Sequence, residues 1–276
     1  MSSNGSIASI NRYPVKSMGG EAVDAVALGP LGIAGDRRLA LRDVGTGKVI
    51  SAKQPRDGRK LLACSARTEA DGAVVVTVEG TELPATDTAA VETRLSSLLG
   101  RPVRLDPAPQ AEDVYESYWP EIEGTLLSDV TMDLPIAIST GAGTFVDLAA
   151  LHVVTTASLS RLAELAPDSR IEVDRFRPSL VIDTGAGGAD GFVENDWKGR
   201  SARLGEATVQ FTDSTPRCVM TTLAQGDLPD DKAVLQTLAQ HNRLTLYGMG
   251  DFACLGIYAE VTEPGTIAVG DDLVWI

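Results

Sequence analysis

Six short segments fill most of the first eighty residues: SIASINRYPV, AVDAVALG, RRLALRD, KVISAK, KLLACSAR and AVVVTVEG. In each, apolar and polar residues alternate. Side chains on a strand point to opposite faces with a period of two, so this spacing predicts half-buried β-strands, whereas a helix repeats its apolar face every three to four residues. The connections GPLGIAGD and DVGTGK supply the glycines that tight turns favour, and a meander or barrel follows. One helix interrupts the run. DTAAVETRLSSLLG has helical spacing with Gly100 as its stop, and a short strand RPVRLD comes after it.

Residues 107 to 144 are rich in Pro, Asp and Glu and lack a clean period, so they read as a long connection carrying the domain boundary. Beyond them ALHVVTTASLSRLAELAPDS predicts a strand entering a helix, with Thr155, Thr156 or Ser158 as the cap. RPSLVID, SARLG and ATVQFTD are further strands, DDKAVLQTLAQHN is a helix, and ACLGIYAEV and GTIAVGDDLVWI are the last strands. Strands dominate without a regular βαβ alternation. The expectation is an α+β fold that is mainly β, with an N-terminal β-barrel-like region over residues 1–125 and a second β-barrel domain with a few helices over 126–276.

Composition narrows the chemistry. Three cysteines, Cys64, Cys218 and Cys254, are too few and too scattered for a disulfide framework or a zinc ribbon, and two histidines do not make a His-rich metal centre. The net charge of −14 argues against nucleic acid. Its distribution is uneven. Residues 1 to 67 hold eleven Lys or Arg against five Asp or Glu, so a basic segment opens an otherwise acidic chain and offers the ingredients of a local anion site. No basic n-region with an apolar run opens the sequence, and no stretch reaches the roughly 18 apolar residues of a membrane span. A cytoplasmic protein without a membrane span is expected.

Cys218 follows Pro216 and Arg217 in DSTPRCVMTT. An adjacent arginine favours the thiolate, the form that attacks or ligates, so Cys218 is either a functional sulfur or a small buried thiol. Cys64 and Cys254 lie in apolar strand patterns and read as core. In RYPVKS, Lys16 and Ser17 at a strand exit combine a point charge with a rotatable hydroxyl, suited to a phosphate or simply solvated. In RFRPSLVID, Pro178 pushes Arg177 toward an extended conformation, which would put Arg175 and Arg177 on one face, toward a ligand or in ion pairs with Glu172 or Asp174. DTGAGGADGF lacks the spacing and flanking elements of a phosphate loop and reads as a surface loop. His152 has no nucleophile in a motif beside it and reads as a hydrogen-bonded strand residue.

Taken in order, YPVKS, GDRRLAL, SAKQPR, VTTASL, RFRPSLVID, STPRCVMTT and the closing GTIAVGDDLVWI resemble the MOSC superfamily, in the form with an N-terminal MOSC β-barrel region, and are similar to the mitochondrial amidoxime-reducing component and its bacterial counterparts. The resemblance implies a molybdenum cofactor, molybdopterin-bound Mo, with Cys218 as the protein's ligand to the metal and the catalytic centre. It places Lys16, Ser17, Arg37, Arg177 and Ser179 on the pterin and its phosphate, Ser179 standing where many relatives have Asn. Thr155, Thr156 and Ser158 fall on a hydroxyl-rich cofactor turn, and Thr215 and Arg217 flank the metal ligand. The implied activity is reduction of N-hydroxylated compounds, with electrons from an external donor such as a reductase, a ferredoxin-like or a cytochrome b5-like protein. The alternatives are a persulfide carried on Cys218 for sulfur transfer, and a non-catalytic cofactor carrier.

Overall fold

The computed structural model describes residues 5–54, 57–107, 109–110, 112–118, 131–136, 143–185 and 191–276. Strands predominate, as the alternating segments predict. The N-terminal half contains β1 (Ser6–Arg12), β2 (Glu21–Val23), β3 (Ala25–Gly29), β4 (Gly32–Ile33) and β5 (Ala40–Asp43). It continues with β6 (Ser65–Thr68), β7 (Val74–Val78), β8 (Thr81–Pro84), helix α1 (Thr88–Leu99), β9 (Val103–Asp106), β10 (Val114–Tyr118) and β11 (Thr131–Pro135). Asp87 caps α1 by accepting from Ala90 N, and Gly100 ends it in the left-handed conformation, which costs glycine little.

The C-terminal half contains β12 (Leu151–Thr155), α2 (Thr156–Leu165), α3 (Val173–Phe176), β13 (Leu180–Asp183), β14 (Ser201–Leu204) and β15 (Ala207–Pro216). Helix α4 (Lys232–His241), β16 (Arg243–Leu246), β17 (Gly250–Glu263), β18 (Gly265–Ala268) and β19 (Leu273–Trp275) complete it. One large sheet runs β19-β14-β15-β17-β12-β13-β1-β2, with β16 beside β17. Its ladder does not close into a barrel. β19, at one end of the path, approaches β1, next to the other end, through Ile7 N donating to Asp271 O at 2.9 Å and Leu273 N to Gly5 O at 2.8 Å. β1 and β2 thus belong to the sheet of the C-terminal half, and β18 in turn pairs with β3. The large sheet buries Ile10, Leu151, Val153, Leu180 and Ile257 in one core, while Val76, Leu95 and Leu105 anchor a separate core under α1.

Several expectations need correction. KVISAK forms no strand; Val49 makes only isolated bridges, to Arg42 and Tyr115. KLLACSAR begins as a 3₁₀ turn over Gly58–Ala63, closed by Lys60 N donating to Asp57 O and Cys64 N to Leu61 O, both at 3.0 Å, with Leu61 and Leu62 buried in two different clusters. The 107–144 connection contains the antiparallel pair β10 and β11, and the boundary at 125/126 lies outside the described residues, as do residues 186–190 of DTGAGGADGF. Arg175 is helical and Arg177 is left-handed at φ 53°, so the two do not share the face of an extended segment. Arg175 is fully buried and capped by the carbonyls of Arg170, Thr221 and Pro229, not by an acidic partner.

Candidate functional site

A solvent-open cleft of about 110 Å³ lies where the two halves interleave. The turn after β1 brings Lys16 and Ser17, the segment before β5 brings Arg37, and the coil after residue 50 brings Ser51 and Lys53. From the other half, residues 146–150 and His152, the end of α3 with Arg175, Arg177 and Ser179 beyond it, the end of β15 with Thr215, Arg217 and Cys218, and Tyr258 of β17 also line it. Main-chain bonds tie these pieces together: Phe145 N donates to Arg37 O at 2.7 Å, and Ser179 N to His152 O at 2.7 Å.

Positive charge dominates the walls. Lys16 is buried; its ammonium donates to Phe145 O at 2.8 Å and pairs with Asp147. Lys53 pairs with the same carboxylate at 3.0 Å and donates to Tyr115 Oη at 3.0 Å. Burial alone would raise the Asp147 carboxyl, but the two ammoniums outweigh it and hold the group far below the usual carboxylate range. Lys16 is pushed down by its burial, which Asp147 offsets only in part, whereas Asp147 and Tyr115 outweigh burial at Lys53 and raise it. Arg37 pairs with the buried Asp36, and burial together with the neighbouring Arg37 charge lowers Arg177 to about 10. Both guanidiniums remain charged at neutral pH.

Cys218 is partly exposed, with an extended backbone that leads into the 3₁₀ turn Val219–Thr222. Cys64 and Cys254 are buried, and burial pushes both thiols up to about 11, so they are core as expected and only Cys218 faces the cleft. Arg217 turns its guanidinium toward Phe176 O at 2.8 Å and His152 Nε2 at 3.3 Å. His152 is buried in β12, Nε2 also lying 3.2 Å from Leu255 O; burial, reinforced by Arg217, depresses it well below the ordinary histidine range, so it is neutral. Three buried polar atoms of cleft residues have no partner: Arg177 Nη2, Arg217 Nε and Thr215 Oγ1. Such groups are costly unless something bonds them. Among the described residues no group of three or more His, Cys, Asp or Glu forms a metal cage.

The cleft therefore gathers Lys16, Ser17, Arg37, Arg177, Ser179, Thr215, Arg217 and Cys218. It does not gather Thr155, Thr156 and Ser158. Thr155 caps α2 by accepting from Ser158 N at 3.1 Å and donates to the buried Glu194 at 2.8 Å; Ser158 also donates to Glu194. Thr156 points outward to Asp183 at 3.1 Å. These hydroxyls serve a helix start and a buried carboxylate. Lys53, Asp147 and Tyr258 are cleft residues with no local signature: one follows an irregular coil, one precedes a strand, and one occupies an ordinary strand position.

Residues 4–111 match the MOSC N-terminal beta barrel domain and residues 140–274 match the MOSC domain. The chain is a MOSC-domain protein. Over 131 residues it is 26% identical to mitochondrial amidoxime reducing component 2 of Bos taurus, an alignment covering 45% of this chain and 36% of that one, so the MOSC-domain protein matches about a third of that relative's length. Among solved structures it is similar to the YUAD protein from Bacillus subtilis, with 11% identity, coverage of 98% and 93% of the two chains and a TM-score of 0.45. It is also similar to YiiM from Geobacillus stearothermophilus, with 17% identity, coverage of 55% and 69% and a TM-score of 0.32. No helix among the described residues is long and apolar enough to cross a membrane.

Proposed function

We propose that this MOSC-domain protein is a molybdenum-cofactor-dependent oxidoreductase that reduces amidoximes, hydroxylamines and N-hydroxyguanidines. One observation carries the reading: a partly exposed thiol opens on the same cleft as buried guanidinium N–H groups that lack acceptors. A pterin phosphate dianion matches the second feature and a soft, dithiolene-bound metal the first, with one cysteine sufficing because the cofactor brings its own sulfurs. Lys16, Ser17, Arg37 and Arg177 would hold the phosphate and pterin. The Ser179 hydroxyl accepts from His152 N at 3.2 Å and keeps its own proton to donate. Thr215 and Arg217 would flank the metal ligand, Cys218.

The bound cofactor supplies two-electron reduction at the N–O bond. The overall reaction consumes two electrons and two protons, releases the amine or amidine and returns the oxygen as water. An external reductase, ferredoxin-like or cytochrome b5-like donor provides the electrons. The chain's own part is to hold the anionic end on fixed cations and to present the Cys218 sulfur on the open side of the cleft. The test is production in a host that synthesises molybdopterin, followed by elemental analysis and turnover of benzamidoxime with an artificial donor. About one Mo per chain, lost in Cys218→Ser, together with amidine formation supports the reading. Loaded protein without turnover assigns a carrier, and a persulfide on Cys218 without Mo assigns sulfur transfer.

A further inference from the structure

Three of the five non-glycine residues with left-handed backbone among the described residues, Ser17, Arg37 and Arg177, line this one cleft. Such a conformation costs an L residue on the order of 1 to 3 kcal/mol, so the surroundings must hold it in place. For the two arginines the common support is Tyr13, whose ring is buried. Arg37 Cζ lies 4.8 Å and Arg177 Cζ 4.3 Å from its centroid, within the range of cation–π attraction. The main chain of the same residue joins in: Tyr13 N donates to Asp36 Oδ1 at 2.7 Å, and Arg37 N donates to Tyr13 O at 2.8 Å. Asp36, only 1% exposed, also pairs with the Arg37 guanidinium.

The two cations are unequally compensated. Arg37 has a carboxylate. Arg177 has the ring face, a like-charged neighbour and a buried Nη2 with no acceptor. Without an aromatic platform, two guanidiniums would repel each other and turn toward water. We infer that Tyr13 is a positioning residue whose ring preassembles Arg37 and Arg177 into a phosphate site that exists before any ligand arrives, with Arg177 Nη2 as its free donor. Assigning that phosphate to the cofactor rests on the function proposed above; the platform does not.

Inorganic phosphate titrated calorimetrically into the full-length, cofactor-free chain tests this, with Tyr13→Phe, Tyr13→Leu and Arg177→Met alongside the wild type. The Phe variant keeps the ring and is expected to bind within about twofold of wild type, while the Leu and Met variants weaken binding roughly fivefold or more. Wild-type affinity in a folded Leu variant overturns the inference, and so does equal loss in the Phe and Leu variants, which would assign the effect to the hydroxyl. Should the Leu variant not fold, ring-current shifts of the Arg37 and Arg177 side-chain resonances in phosphate-free wild type decide the matter, their absence overturning the platform. Ring-dependent phosphate binding in a protein that never acquires Mo leaves the platform standing and removes the oxidoreductase reading. Mo loading with ring-independent phosphate binding does the reverse.

Discussion

Gly256 in β17 is where backbone conformation and cleft geometry depend on one missing methyl group. Its φ is +87°, and a Cβ built there would lie 2.3 Å from His152 Nε2 and 2.7 Å from the Val153 carbonyl oxygen. Gly256→Ala imposes two costs. The left-handed backbone costs an L residue about 1–2 kcal/mol. The imidazole must also move, giving up the hydrogen bond its Nε2 makes; Leu255 O at 3.2 Å and Arg217 Nη1 at 3.3 Å compete for that one atom, so the loss is one bond of about 1 kcal/mol. These two come to about 2–3 kcal/mol as a lower bound, because the Val153 carbonyl, held by the pairing of Val153 with Ile257 in the β12–β17 ladder, cannot yield to the 2.7 Å contact and adds to the cost. At roughly 2–4 °C per kcal/mol for a chain of this size, the thermal midpoint followed by circular dichroism should fall by at least about 4 °C. A displaced ring also frees Arg217, so the rate at which iodoacetamide alkylates Cys218 in cofactor-free protein should change. A variant that melts within about 1 °C of wild type with unchanged Cys218 reactivity refutes the reasoning.

Three further outcomes follow from the same geometry. Cys218→Ser should fold with a stability change under about 1 kcal/mol, since the thiol is partly exposed, yet retain no Mo; stoichiometric metal by mass spectrometry in the variant would contradict its role. His152 is depressed in the folded state by burial and then by Arg217, so it contributes stability above the unfolded value near 6.5 and loses it as pH falls, by at most about 1.4 kcal/mol per pH unit. Urea melts at pH 7.5, 6.5 and 5.5 should show that acid-side loss in wild type and less of it in His152→Gln, and parallel profiles would exclude it. Glu194, raised by its own burial, slopes the opposite way but is common to both proteins and cancels in the difference. Arg42→Met should cost about 3 kcal/mol in chemical denaturation, because the buried Asp113 loses both its guanidinium bonds of 2.6 and 2.7 Å while Asp106 keeps Arg104; a loss under about 1 kcal/mol would mean Asp113 finds another partner.

Elements whose signal is local were legible in the sequence. The period of two in SIASINR and VVVTV, the cap and glycine stop around α1, and the Thr155 cap of α2 each depend on near neighbours, and each appears in the structure. What failed depends on distant contacts. Leu61 and Leu62 look like strand residues until two separate cores claim them, and Arg177 looks extended until Tyr13 and the cleft hold it left-handed. Thr155 and Ser158 were attached to a ligand by resemblance, but Glu194, 36 residues beyond Ser158, takes their hydroxyls instead. A lone glutamate in FVENDW carries no local mark of burial. Lys53 and Asp147 carry no local mark either, since each gains meaning only from the other across the interleaved halves.

The strand order explains how a basic N-terminal segment becomes a site at all. Had the N-terminal half folded as a separate barrel, Lys16, Arg37 and Lys53 would be solvated side chains of a basic module, screened within about a Debye length and far from Cys218. Instead β1 lies between β13 and β2 in the large sheet, and the turn that follows it delivers Lys16 and Ser17 to the exit of α3 and the end of β15. The β18–β3 pairing fastens the same junction from the other side. Arg177, Arg217 and Cys218 come from the C-terminal half and Lys16, Arg37 and Lys53 from the N-terminal half, so neither half alone assembles the full set of cations beside the sulfur. Burial then makes each charge count for more than it would in water, which is why Asp147 is held ionised between two lysines and why an anion entering beside the unpartnered Arg177 Nη2 would be strongly attracted.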